Sequence, residues 1–91
     1  MGHRDVAMLL AESVTHEAVL QAIRQAKPAH LEQVELFDVF RGKHVPAGQK
    51  SLAYALTYRH AERTLTDAEV NAAHEKVLAQ LQTALKVTLR A

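Results

Sequence analysis

The sequence predicts an α+β domain in which a four-stranded antiparallel sheet carries two helices on one face. Three observations predict it. Lys50 to Arg59 alternates apolar with small or polar residues at period two. Thr66 and Glu69 stand at capping-box spacing ahead of an apolar stripe that repeats at helical spacing. Apolar segments of strand length lie before and after these two elements.

Taken in order, Asp5 to Glu12 is the first strand, with Val6, Met8 and Leu10 on one face and Ala7, Leu9 and Ala11 on the other; apolar on both faces, it reads as central. Ser13 and Thr15 offer hydroxyls to cap a helix from His16 to about Ala26, whose Val19, Ala22, Ile23 and Ala26 share a face, and Pro28 stops it. Leu31 to Arg41, rich in Val, Leu and Phe, is the second strand. Gly42, Pro46 and Gly48 break the chain between Gly42 and Gln49, so a hairpin with a longer loop leads into Lys50 to Arg59. In that third strand Leu52, Tyr54, Leu56 and Tyr58 point one way and Ser51, Ala53, Ala55, Thr57 and Arg59 the other.

Thr66 and Glu69 start the second helix, with Asp67 in the first turn where a carboxylate suits the helix dipole. Val70, Ala73, Val77, Leu81 and Ala84 mark its buried stripe, widened by Leu78 and Leu85. Lys86 to Arg90 closes the chain as a short strand with Val87 and Leu89 inward and Lys86, Thr88 and Arg90 outward. Strand, helix, strand, strand, helix, strand is the βαββαβ order of ferredoxin-like folds. Right-handed crossovers put both helices on the same face and leave the other open.

The chain's 91 residues suffice for one domain, and 48% hydrophobic content with 4% aromatic calls for a core of aliphatic side chains. The absence of cysteine removes disulfides and thiolate metal sites and fits a reducing, cytoplasmic setting. No apolar run reaches the roughly 20 residues of a bilayer helix and no leader is recognisable, so no membrane partner is expected. Met1, Gly2 and His3 read as vector-derived or linker residues ahead of a domain from Arg4 to Ala91, itself a piece of a longer protein. The six histidines never recur three or four apart on a helix, and no triad or phosphate loop is present, so neither a metal nor catalysis by this chain is expected. A net charge of +1 argues against a stand-alone, sequence-blind nucleic-acid binder.

The open face is therefore the place to look for function. Ser51, Ala53, Ala55, Thr57 and Arg59 belong to it, with Lys86, Thr88 and Arg90. Placing Phe37 and Val39 in the core puts Asp38 and Phe40 there too, but carries Val34 and Leu36 outward unless a bulge near Glu35 or Leu36 intervenes, or a neighbouring domain covers them. A ring, small neighbours, one acid, a hydroxyl and cations suit single-stranded RNA: unstacked bases need planes, edge partners and positive charge for the backbone. A carboxylate repels phosphate, so Asp38 would serve as an acceptor from base N–H groups. Blander readings stand beside each: Phe40 as strand-end core, Asp38 paired with Arg41, Arg59 or Arg90, Ser51 as a strand-opening polar residue, and Arg90 solvated.

The residues Arg4 Asp5 Val6 Ala7, Leu36 Phe37 Asp38 Val39 Phe40 with Gly42, Lys50 Ser51 Leu52 Ala53, Arg63 Thr64 Leu65 Thr66 Asp67 with Glu69 and Val70, and the closing Leu89 Arg90 occur in this order over essentially the whole chain. Together they resemble the ferredoxin-fold anticodon-binding domain that closes the beta subunit of bacterial-type phenylalanyl-tRNA synthetases. The resemblance implies binding of the anticodon stem-loop of phenylalanine tRNA, with the remainder of the beta subunit and the alpha subunit as partners. It places ATP and magnesium in the parent enzyme and no cofactor or catalytic residue in this domain. It assigns RNA contacts to Asp38, Phe40, Ser51 and Arg90, and adds Arg4 and Ala53 to the same surface. Phe40 stands where the family often has tyrosine, and Ala84 Leu85 Lys86 where it often has glycine. The rival is a ferredoxin-like module that oligomerises or takes a small ligand through its sheet, a reading that Val34 and Leu36 on the open face would favour. A related RNA-binding domain in another protein is a further alternative.

Overall fold

A computed structural model describes residues 2–90. Its elements are β1 (Gly2–Ala11), α1 (His16–Gln25), β2 (Leu31–Phe40), β3 (Gln49–Tyr58), α2 (Asp67–Leu85) and β4 (Thr88–Arg90). The four strands form one antiparallel sheet in the order β2-β3-β1-β4, with β1 and β3 central. The βαββαβ expectation is met, and β1 is the central strand that its doubly apolar pattern required.

Two boundaries and one burial assignment differ from the sequence reading. β1 opens at Gly2, ahead of Asp5, because Gly2 and His3 pair with Tyr58 and Thr57 at the far end of β3. Gly2 is buried, and a Cβ added there would stand 2.5 Å from Val70 Cγ2. Residues 1–3, read as vector-derived or linker residues, thus meet a strand at positions 2 and 3; Met1 and Ala91 lie outside the described residues. Ala84, expected on the buried stripe of α2, is exposed. Lys86 is not in β4: it is the C-cap of α2, in the left-handed region at φ 54°, with its N–H on Gln82 O.

The core lies between the sheet and the helices. Val6, Met8 and Leu10 of β1 and Leu52, Tyr54, Leu56 and Tyr58 of β3 meet Val19, Ala22 and Ile23 of α1 and Val70, Ala73, Val77 and Leu81 of α2. Thr15 caps α1, its hydroxyl accepting from Ala18 N. Thr66 and Glu69 complete both arms of the expected capping box. Arg63 grips the same Glu69 carboxylate with two N–H groups, and this, more than the box, holds Glu69 well below the usual carboxylate range.

Each helix is also tied to β3 by a tyrosine and a histidine. Tyr54 Oη lies 2.9 Å from His16 Nδ1 on α1, and Tyr58 Oη lies 3.1 Å from His74 Nδ1 on α2. Burial pushes both phenols up to about 12, so each keeps its proton, and which of phenol and imidazole donates follows the tautomer of the ring.

Candidate functional site

The face away from the helices is laid out by strand register, since directly opposed residues point the same way. One row reads Phe40, Ser51, Leu9, Thr88 across β2, β3, β1 and β4, and the next reads Asp38, Ala53, Ala7, Arg90. Beyond these lie Glu35, Ala55, Asp5 and then Gln33, Thr57, His3. Small residues at Ala53, Ala55 and Ala7 keep the centre of this face low.

Asp38 and Phe40 reach this face because of a bulge. The β2–β3 register slips between Leu36 and Asp38, leaving Phe37 as the extra residue. Val34 and Leu36, opposite Leu56 and Tyr54, consequently face the helices and pack on the core, whereas Val39, expected in the core and in register opposite Leu52, is 41% exposed near the end of this edge strand. Phe37, expected in the core, is instead 53% exposed, because the slip takes it out of the alternation. A bulge was one of the two devices the sequence demanded, and it sits one residue further along.

Phe40 is 54% exposed, so it is not a strand-end core residue. Asp38 forms no ion pair or side-chain hydrogen bond among the described residues. The three arginines that could have taken it are engaged elsewhere: Arg41 with Glu12, Arg59 with Glu32 and Arg90 with Ser51. Ser51 is 2% exposed, covered from above, and its Oγ accepts from Arg90 Nη1 at 2.9 Å. That bond carries Arg90 out of its own row toward Phe40.

The loop after β2 raises a wall beside this corner. A cleft of about 210 Å³ is lined by Phe40, Lys43, His44, Val45 and Arg90. The loop is folded on itself by Val45 N to Gly42 O and Gln49 N to Pro46 O, and tied to β1 by Glu12 N to Gly48 O and by the Arg41–Glu12 ion pair. Gly42 and Gly48 supply the positive φ angles those turns need. Charge is distributed unevenly: Lys43 and Arg90 border the cleft beside Phe40, while the carboxylates of Asp38, Glu35 and Asp5 lie on the face outside its lining.

The model of the ferredoxin-fold anticodon binding domain matches residues 2–90. The chain belongs to that family. It is 51% identical over 87 residues to the phenylalanine–tRNA ligase beta subunit of Lactiplantibacillus plantarum, covering 96% of this chain and 11% of that protein. Identity is 43% over 88 residues to the corresponding subunit of Lactococcus lactis (97% and 11%) and 47% over 87 residues to that of Synechococcus elongatus (96% and 11%). The domain thus spans about 11% of the length of these curated relatives.

Of the six residues assigned to the surface of this anticodon-binding domain by resemblance, five share one face: Asp38, Phe40, Ser51, Ala53 and Arg90. Arg4 does not. It lies opposite Leu56, on the helix side, and its guanidinium bonds Asn71 Oδ1 through Nε and Nη2 and approaches Asp67. Parity held the signal, for Arg4 alternates in phase with Val6, Met8 and Leu10, and a long side chain at a strand end can carry its charge out past the core. Lys86, expected on the face, is displaced to the helix cap. Lys43, His44 and Val45 carry no signal in the sequence beyond that of a loop, since composition does not say which way a loop folds. No helix among the described residues is long and apolar enough to cross a membrane.

Proposed function

We propose that the chain binds the anticodon stem-loop of phenylalanine tRNA through its open sheet face, as a non-catalytic part of a phenylalanyl-tRNA synthetase beta subunit. The observation that supports this most directly is the convergence of Asp38, Phe40, Ser51 and Arg90 on one corner of that face, in a chain of this family. The exposed Phe40 ring offers a plane for an unstacked base. The Asp38 carboxylate, free of cations, accepts hydrogen bonds from base amino or imino groups. Arg90, steadied by Ser51, meets the backbone or a base edge. Ala53 keeps the floor low enough for a base to approach.

The remainder of the beta subunit, the alpha subunit, ATP and magnesium would supply the aminoacylation chemistry in a soluble, cytoplasmic enzyme. Relatives named as phenylalanine–tRNA ligase beta subunits support a place in such a synthetase. With a net charge of +1, the isolated chain should bind RNA weakly, and strong binding should come from several contacts in the whole synthetase. The rival reading of a sheet that pairs with another copy drew on Val34 and Leu36, and both face the helices.

The test is a backbone-amide titration by NMR with the phenylalanine anticodon stem-loop and a scrambled-loop hairpin. Shifts at Asp38, Phe40, Ser51 and Arg90 with the cognate loop alone are expected. Equal shifts with both hairpins, or none at millimolar RNA, would remove the reading.

A further inference from the structure

We infer that the β2–β3 loop is a working wall of this interface, and that the cleft it closes is a phosphodiester subsite in which Lys43 and Arg90 hold one backbone phosphate beside the nucleotide stacked on Phe40. The inference rests on the RNA-binding reading above. The cleft of about 210 Å³ has two cations in its lining and no carboxylate. Neither Lys43 nor Arg90 forms an ion pair among the described residues, whereas the neighbouring Arg41 is neutralised by Glu12. Two unneutralised cations bordering one concavity repel each other, and an anion between them turns that repulsion into attraction.

The rest of the lining narrows the class of anion. Phe40 and Val45 are apolar and His44 offers an imidazole, so the cleft suits a group that is charged at one edge and flat or apolar at the other. A nucleotide has that composition and a free inorganic ion does not. His44 holds a left-handed backbone at φ 68°, a conformation that costs a non-glycine residue about 1 kcal/mol or more and is kept here by the turns on either side. The loop is thus shaped before a ligand arrives, and ordering it adds little to the cost of binding. Asp38, Glu35 and Asp5, on the face outside the cleft, set the direction, since a phosphate chain leaving the cleft over them would be repelled.

Fluorescence-anisotropy titrations of the chain with the phenylalanine anticodon hairpin and its scrambled-loop control, across a series of salt concentrations, test the subsite. Lys43→Ala should lower the slope of log affinity against log salt by about 1 and weaken both hairpins by the same factor, about three- to tenfold at low salt. Lys43→Arg should restore the slope, and Lys76→Ala, on the exposed side of α2, should leave it unchanged. If the wild-type chain prefers the cognate hairpin but Lys43→Ala leaves the slope intact, the subsite is wrong and the anticodon reading survives. If the wild type does not discriminate yet Lys43→Ala still lowers the slope, the subsite stands and the anticodon reading falls. A loss confined to one hairpin, or no binding of either at millimolar RNA, overturns the subsite.

Discussion

Arg90 Nη1 donates to Ser51 Oγ at 2.9 Å, reaching over β1 from one strand to another two places away. The hydroxyl is buried under the guanidinium, so a ligand on this face meets Arg90 first and Ser51 only through it. Ser51→Ala should therefore act on Arg90's aim. We expect melting temperature to change little, because an exposed guanidinium recovers water, while preference for the cognate hairpin falls several-fold in anisotropy titrations. An unchanged preference would show that Arg90 is held without the serine.

Asp38→Asn keeps the shape and removes the charge. Asp38 has no cation partner among the described residues, so circular-dichroism melts should coincide with those of the wild type to within about 0.5 kcal/mol. Discrimination between cognate and scrambled loops should drop by about 1–3 kcal/mol, the usual worth of a good base-edge contact. A large loss of stability instead would mean that the carboxylate serves the fold.

The chain has two tyrosines, and both are the buried partners of histidines. Absorbance near 295 nm on raising the pH should stay flat through 10, the ordinary phenol value, and rise only near 12 or on unfolding. The folded pKa values lie above the unfolded ones, so the linked stability is present below pH 10 and is lost as the pH climbs toward 12. A smooth titration centred on 10 would show that the phenols reach water.

Acid should find His74. Burial first, and the nearby Arg4 charge second, push its imidazole below the ordinary 6.5. The unfolded chain then binds the proton more readily, so stability is full above about pH 6.5 and declines as the pH falls beneath it. Melting temperatures should decline from about pH 7.5 to about pH 5, and His74→Gln, an uncharged hydrogen-bonding partner for Tyr58, should flatten that dependence relative to the wild type.

Lys86→Gly should stabilise the domain. The left-handed cap costs lysine about 1–2 kcal/mol, and glycine returns about 0.4–1 kcal/mol through freedom of the unfolded chain. The expected net gain is about 0.5–1 kcal/mol, a rise of a few degrees in melting temperature, read by calorimetry.

What could be read without coordinates followed from unbroken periodicity. β3 alternates without interruption, so Leu52 to Tyr58 and Ser51 to Thr57 fall on their faces as counted, and the Thr66–Glu69 box marks the start of α2 to the residue. β2 resisted because counting by twos assumes one phase, and the extra residue at Phe37 changes phase midway. Nothing in the composition of Leu36 Phe37 Asp38 says where the slip falls. Lys86 and the early start of β1 escaped for a different reason: a left-handed cap on lysine and a strand opened by glycine both run against local preference, and tertiary contacts decide them.

The alternation along β3 separates two jobs on one backbone. Even-numbered residues from Leu52 to Tyr58 hold the helices, and odd-numbered ones from Ser51 to Thr57 look outward, with no side chain serving both. Selection can therefore rewrite what the surface accepts, one outward position at a time, while the interior that keeps the molecule folded goes untouched.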